Sequence, residues 1–366
     1  MITLFLCGDV MTGRGIDQIL PHPGDPTLHE SYVRDARGYL ELAEAAYGPI
    51  PRPAAPDYIW GDALEELDRA RTDLRIVNLE TSITRSDAYW RGKEVLYRMH
   101  PGNIGCLAAA RIDCCCLANN HVLDWGYEGL EETLDTLDGA GVAHAGAGRD
   151  VAEAAAPAVL DAAGKGRVLV FAFGSPTSGV PRPWGAAANR PGVNLLEDLS
   201  EETALACARR IRGIMQPGDT NIASIHWGPN WGYAIPREQI DFARRLVENG
   251  VDIVHGHSSH HAKAVEVHQG RLILHGCGDF LTDYEGIGGY EMFRGDLCPM
   301  YLIEWDPLEG RLVNVRIVAL RSRRFRLCRA PREDARWLCD MLNRQGSTAD
   351  LKARLEDDHS MTLRWR

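Results

Sequence analysis

The stretch richest in reactive side chains is Val251 to Phe280, VDIVHGHSSHHAKAVEVHQGRLILHGCGDF, which holds six of the chain's thirteen histidines. VDIVHG reads as a buried strand, a short β-branched apolar run ending in Gly, and His257, Ser258, Ser259, His260 and His261 follow it as a loop. A second apolar run, Arg271 to Leu274, delivers His275, Gly276, Cys277, Gly278 and Asp279 in the same manner. Two strand ends therefore bring imidazole and carboxylate together, a combination that binds metal ions or moves protons. A histidine run on an ordinary surface loop has no reason to begin directly after a buried strand.

Other strand ends repeat the pattern. Ile2 to Cys7 is apolar and runs straight into Gly8 and Asp9. The run LRIVNL, within Asp73 to Leu79, ends in Asn78, Glu80 and Thr81, and Arg111 to Ala118 gives way to Asn119, Asn120 and His121, with Asp124 a turn later. Asn221 to Ile225 ends in His226-Trp227-Gly228. Taken singly, each of these residues could be a hydrogen-bonded strand cap. Collected, Asp9, Glu80, Asn119, Asn120, His121, His226, His257, His260, His275 and Asp279 form a mixed nitrogen and oxygen donor set. That set suits two borderline divalent ions (Mn, Fe, Zn or Co) better than a thiolate site, and the absence of any CxxC pair disfavours a cysteine-ligated structural zinc.

The elements needed to position these residues alternate along the chain. Glu131 to Ala140 reads as helix, Val142 to Gly146 and Gly166 to Phe173 as strands, GAGRDVAEAAAPAVL as helix-like, and Met300 to Trp305 with Arg311 to Leu320 as a closing hairpin around Asp306 to Gly310. This alternation predicts a layered α/β or α+β sandwich. After Asp9, MTGRGIDQIL predicts a helix approached through two glycines, with Arg14 placed to touch a ligand. Residues 21 to 60, with PHPGDP and PIPRPAAP, are proline-rich and predict a long surface excursion that covers the site. The segment from Pro331 is charged and helical in pattern. No repeat, coiled coil or low-complexity linker breaks the chain, so one domain over residues 1–366 is expected.

A formal net charge of -11 argues against nucleic acid or an anionic membrane as the main partner, and 45% hydrophobic content supports a sizeable core. Among ten cysteines, Cys114 to Cys116 are consecutive in an apolar strand-like run, where neighbours point to opposite faces, so reduced core thiols are expected. The apolar start has no basic region before it and is too short for a signal segment or a membrane span. The expectation is a cytoplasmic protein.

The motifs GDVMTGRG (8–15), NLETS (78–82), ANNHVLDWG (118–126), HWGPNWGY (226–233), GHSSHH (256–261) and GCGDF (276–280) stand in an order that resembles the CapA-like, or poly-γ-glutamate biosynthesis-like, proteins of the metallo-dependent phosphatase superfamily. The resemblance implies a four-layer αββα sandwich with a dinuclear metal site. It implies Asp9 on the first metal, Glu80 as the bridge, Asn120 and His226 on the second, His257 and His260 completing the pair, and His121 as a non-ligand histidine near the substrate. Departures are also visible. Met11 stands where the superfamily's Asp-x-His has its histidine, Glu80 where it has Asp, and Gly256-His257-Ser258-Ser259-His260 where it has Gly-His-x-His. Relatives tend to carry an aromatic residue where this chain has His275.

Such a site can activate water, with His121 protonating a leaving group, or it can hold a carbonyl while two acid/base groups exchange an α-proton. Asp9, His121 and His275 are the catalytic candidates, and Arg14, Trp227, Trp231 and Tyr233 the substrate-binding ones, the aromatic rings offering faces to an apolar peptide side chain. The family also resembles a peptide epimerase that matures lasso peptides. The chain shows no membrane anchor, so the reading favoured from sequence is a peptide-tailoring enzyme that epimerises a Cα of a precursor peptide. Hydrolysis of an amide or phosphate ester is the alternative, and a non-catalytic subunit of capsule-polymer assembly the third.

Overall fold

The computed structural model describes residues 1–346 and 351–365. The first strand, Ile2–Val10, lies inside a ten-stranded sheet. It pairs antiparallel with Leu297–Asp306 on one side and parallel with Leu74–Leu79 on the other, and Cys114–Cys116 and Ala143–Ala145 continue the sheet in parallel. A second sheet of six strands runs in the order Val265–His268, Arg271–Leu274, Ile253–His257, Thr220–His226, Arg167–Gly174, Ala158–Asp161, and its four central strands are parallel. Every parallel strand therefore presents its C-terminal end at one edge of its sheet.

Alternation along these strands builds the layers. Leu4, Leu6, Ile76, Cys114 and Cys116 of the first sheet share a buried core with Val168, Val170, Ile222, Ile253, Leu272 and Leu274 of the second. The intervening Phe5, Cys7, Val77, Leu79 and Cys115 face the opposite way, into a core closed by helices Asp62–Ala70, Gly105–Ala109 and Gly126–Ala140. On the far side, Phe171, Ala223, Ile225, Val254 and Ile273 pack under helices Glu201–Ile214 and Arg237–Glu248. The result is the expected helix–sheet–sheet–helix sandwich. All ten cysteines are free thiols, and the three consecutive ones divide between the two cores as their alternation requires.

Four local expectations change. The helix after Asp9 is a single turn, Arg14–Asp17, and the helix-like stretch after Gly146 splits into helix Val151–Ala155 and strand Ala158–Asp161. The excursion at 21 to 60 carries helix Arg37–Tyr47 and also buries Ile50, Ala54, Ile59 and Trp60 in the core, because its prolines separate short apolar clusters. The helical tail ends at Gln345. Beyond it, Lys352–Leu355 and Ser360–Arg364 add two antiparallel strands to the edge of the large sheet beside Arg311–Ser322. Their period of two, with Ala353, Met361 and Leu363 buried and Lys352, Arg354 and Arg364 exposed, outweighs the charge content that suggested a helix.

One close approach fixes the site edge. A Cβ on Gly8 would lie 1.6 Å from the carbonyl oxygen of Gly278, and Gly278 itself has φ +80°. The strand carrying Asp9 and the loop carrying Asp279 thus touch backbone to backbone, which only glycine permits. Gly8→Ala is expected to lower stability by roughly 3 kcal/mol through backbone displacement, read as a reduced denaturant midpoint with little change in slope; a midpoint equal to the parent's would show that the two segments are free to separate.

Candidate metal centre and its cavity

The parallel register sets out the donor groups. Asp9 lies opposite Asn78 on one neighbour and Asp279 on the short parallel strand Asp279–Leu281, while His226 lies opposite His257. Facing sheets bring these pairs together in two groups whose donor atoms converge, Asp9 with His226 and His257, and Asp9 with His260 and Asp279. Asp9 belongs to both. Glu80, which the resemblance implied as the bridge, is in neither group, and Asp279, collected with the other strand-end residues, is in one.

The contacts are specific. Asn78 Nδ2 donates to Asp9 Oδ1 at 2.7 Å, and Ser258 N donates to Asp9 Oδ2 at 3.2 Å. Ser258 adopts φ +101°, a backbone region costly for a residue with a Cβ and held here by its surroundings. His226 Nδ1 and His257 Nδ1 stand 2.9 Å apart, His257 Nδ1 is 3.8 Å from Asp9 Oδ1, and His260 Nδ1 is 3.0 Å from Asp279 Oδ1. Asn120 Oδ1 lies 2.9 Å from His226 Nε2, so Asn120 orients this ring. Glu80 Oε1 stands 3.7 Å from both His226 Nε2 and His121 Nε2, between the donor groups and the non-ligand histidine.

Electrostatics tests whether the set suits a cation. Burial, then the neighbouring Asp279, pushes Asp9 up to about 7, and burial, then Asp9 and Asp279, pushes Glu80 well above the usual carboxylate range. Burial also holds His226 and His257 well below the usual imidazole value, so both offer neutral nitrogen. Crowded carboxylates beside neutral imidazoles are a donor set short of positive charge, which a divalent ion would supply. The residues present therefore fit the metal pair that the family implies.

A cavity of about 820 Å³ opens above this edge. Glu80, His121, His260, Asp279 and Arg14 line it, while Asp9, His226 and His257 lie beneath its floor. Tyr32, Tyr39 and Tyr47 from the 21-to-60 excursion form one wall, so that segment does cover the site. Trp231 stacks on Tyr290 at 4.2 Å between ring centres and forms another. His121 stacks on Tyr97 at 3.7 Å, and its Nδ1 is 2.6 Å from Asp124 Oδ2. Lys93 bonds both Asp124 and His121, and burial lowers its pKa.

Three sequence expectations are corrected. The His275 ring is buried away from the cavity with Nε2 3.2 Å from Glu266 Oε2, so it faces no bound substrate. Trp227 is 1% exposed, donates from Nε1 to the His275 carbonyl oxygen, and belongs to the core under the outer helices. Tyr233 packs edge-on against His261 and is absent from the cavity wall. Arg14 does reach the cavity, yet its guanidinium is committed to Asp283, Glu30 and Tyr39, which makes it a brace. Sequence reasoning missed Lys93 and Tyr97, since nothing in their local pattern marks them; Asp124 was noted only as lying on the next turn.

A two-sheet α/β sandwich with convergent metal-donor side chains at the strand ends is the class that fold and site define. The sequence agrees with that class, and residues 3–284 match the family described as bacterial capsule synthesis protein PGA_cap. The chain belongs to that family. It is 46% identical over 345 residues, 94% of this chain and 91% of the relative, to a probable polyglutamine synthesis accessory protein of Mycobacterium tuberculosis. It is 23% identical over 277 residues to the PGA biosynthesis protein CapA of Bacillus subtilis, covering 75% of this chain and 62% of the relative, and 25% identical over 284 residues to the capsule biosynthesis protein CapA of Bacillus anthracis, covering 77% and 60%. No helix among the described residues is long and apolar enough to cross a membrane.

Two expectations follow. Asp9→Asn and Asp279→Asn should each reduce the metal content measured by elemental analysis after loading with manganese or zinc, Asp9→Asn the more severely because both groups use it; equal content in all three proteins would dismantle the assignment. Trp227→Ala should cost about 3–5 kcal/mol of stability, against much less for Trp231→Ala, as read from paired denaturant melts.

Proposed function

We propose that this protein is a metal-dependent hydrolase of the polyglutamate and capsule synthesis type, acting on an amide bond of an acidic polypeptide held in the tyrosine-lined cavity. The observation that carries the proposal is His121. Its Nδ1 is fixed by Asp124, its Nε2 faces Glu80 across 3.7 Å, and His260 and Asp279 of the donor groups line the same cavity. An imidazole oriented by a carboxylate is a proton carrier of the type hydrolysis requires. Asp9, His226 and His257 would hold one divalent ion, and Asp9, His260 and Asp279 the other. Such ions, when bound, polarise an acyl oxygen and activate water.

The chain's own residues supply the rest. Burial keeps His121 neutral, so its Nε2 first takes a proton from the attacking water and then passes it to the departing amine nitrogen as the C–N bond breaks, while Asp124 and Lys93 keep the ring from turning. Trp231, Tyr290 and the three excursion tyrosines pack on the polymer and exclude bulk water. The preference for an amide over a phosphate ester rests on the polyglutamine and PGA for which the relatives are named. The relatives named for PGA and capsule synthesis support an acidic polypeptide, poly-γ-glutamate.

Epimerisation depended on His275 as one of two acid/base groups, and that ring is turned toward Glu266. A second reading, binding of the polymer without cleavage, draws on the word accessory in the name of the mycobacterial relative. Incubation of the metal-loaded protein with poly-γ-glutamate in deuterium oxide separates the three. New amine ends, abolished by chelator, reduced at least ~100-fold in His121→Ala and retained in His275→Ala, are expected. Binding without new ends would establish the assembly role, and α-deuterium in uncleaved polymer would restore the epimerase.

A further inference from the structure

Besides Arg14, three arginines line the cavity, and carboxylates do not occupy them equally. Arg294 donates to both oxygens of Asp296, at 2.7 and 3.0 Å, and to Asp334 Oδ1 at 2.8 Å. Arg321 donates from Nη1 to Asp334 Oδ2 at 3.2 Å, and its Nε is buried. Arg323 is different. Among the described residues its guanidinium makes one hydrogen bond, from Nη1 to the carbonyl oxygen of Ser322 at 2.9 Å. The carboxylate it approaches, Asp296, stands 4.0 Å from Nη2, beyond hydrogen-bond reach, and is already held by Arg294. An arginine carries five N–H donors, so most of the Arg323 fork is unfilled on a side chain that is 25% exposed at the cavity wall.

The backbone that presents Arg323 is held in a costly conformation. Ser322 lies opposite Leu327 in the hairpin of Arg311–Ser322 and Leu327–Arg329, and Arg323 and Arg326 exchange backbone hydrogen bonds of 2.9 and 3.2 Å. The two residues between them, Arg324 at φ +59° and Phe325 at φ +53°, are both left-handed, as a tight turn of this hand demands and as Asn-Gly would adopt more easily. Glu285 compensates by accepting from the Arg324 and Phe325 amides, each at 2.6 Å, and from Ser322 Oγ at 2.7 Å. The Phe325 ring is 1% exposed in the core, and Tyr58 Oη donates to the Arg324 carbonyl oxygen. Arg323 Cζ then lies 4.2 Å from the centre of the Tyr47 ring. A ring over its face steadies a guanidinium and leaves the planar N–H edge open, the geometry that takes a carboxylate through two parallel bonds.

We infer that Arg323, steadied by Tyr47, is a substrate-binding residue that receives a free carboxylate of the acidic polymer. A γ-linked glutamate chain carries such a group on every residue, whereas a neutral peptide has none to offer. The inference rests on the acidic polymer of the proposed function and not on its cleavage. It rests on unfilled donors and not on net charge, since Glu285 and Glu291 also line this cavity. Their oxygens are turned to backbone amides, those of the hairpin turn for Glu285 and that of Gly289 for Glu291.

The full chain, loaded with zinc and carrying His121→Ala to slow cleavage, is titrated into a fluorescently tagged γ-linked glutamate oligomer and binding is read by anisotropy. Adding Arg323→Gln is expected to weaken binding about 10-fold. Arg323→Lys should recover only part of the loss, because an ammonium keeps the charge but not the fork or the stacking. The α-methyl ester of the same oligomer should bind more weakly than the acid and be indifferent to Arg323→Gln. Unchanged affinity for the acid in Arg323→Gln overturns the inference, and so does an equal loss for acid and ester, which would make Arg323 a wall residue only. Should Arg323→Gln lose its melting transition, the comparison of acid with ester in the unsubstituted wall decides, and an ester bound as tightly as the acid overturns the inference. Arg323-dependent binding with no new amine ends from the metal-loaded parent would end the hydrolase reading and leave this inference standing; new amine ends with binding indifferent to Arg323 would do the reverse.

Discussion

The apolar contact between the two sheets is the constraint on which the site depends. Leu4, Leu6 and Ile76 on one sheet and Ile222, Ile253 and Leu274 on the other are fully or almost fully buried against a common core, which sets the distance and rotation between the sheets. Because the strands nearest this core run parallel within each sheet, their C-terminal ends lie along matching edges, and Asp9 meets His226 and His257 there without any loop having to place them. The Gly8 and Gly278 contact and the His255 bond to the Cys7 carbonyl both lie close under this edge, so small changes in sheet packing would be felt directly at the donor atoms.

That placement is energetically unfavourable on its own terms. Asp9, Glu80 and Asp279 are buried within reach of one another, and two of them have proton affinities pushed upward by desolvation and mutual repulsion. A buried carboxylate persists when hydrogen-bonded or paired, and Asn78, the Ser258 amide and His260 supply part of that. The rest of the sandwich must hold the strained Ser258 turn and the crowded acids in place. Preorganisation of this kind is what lets a site bind an ion without first rearranging.

The cavity divides this work. Rigid strand ends carry the donor groups, whereas its walls come from connecting segments: the 21-to-60 excursion with Tyr32, Tyr39 and Tyr47, the stretch with Lys93 and Tyr97, and the loop with Tyr290. Arg14, clamped by Asp283, Glu30 and Tyr39 and lying over the Tyr39 and Tyr97 rings, ties the first of these walls to the strand-end loops. Substrate preference can change on the walls while the chemistry at the floor stays as it is.

The sequence by itself determined the strands, the layers and most of the donor set, because a buried parallel strand that stops at a polar residue is a local pattern. Asp9, His226, His257, His260 and Asp279 could be named from it. Period two could also have removed two errors: Ala223, Ile225 and Ile273 face the outer helices, so Trp227 and His275, at the same parity, must face them as well. Parity likewise places Ser224 with His226 and His255 with His257 on the inner face, though nothing local says that they touch. Only the tertiary structure decided that Asp9 is common to both groups and that Lys93 reaches His121. Each of these pairs strands or loops distant in sequence, whose separation is set by how closely two sheets pack and not by any run of residues within either.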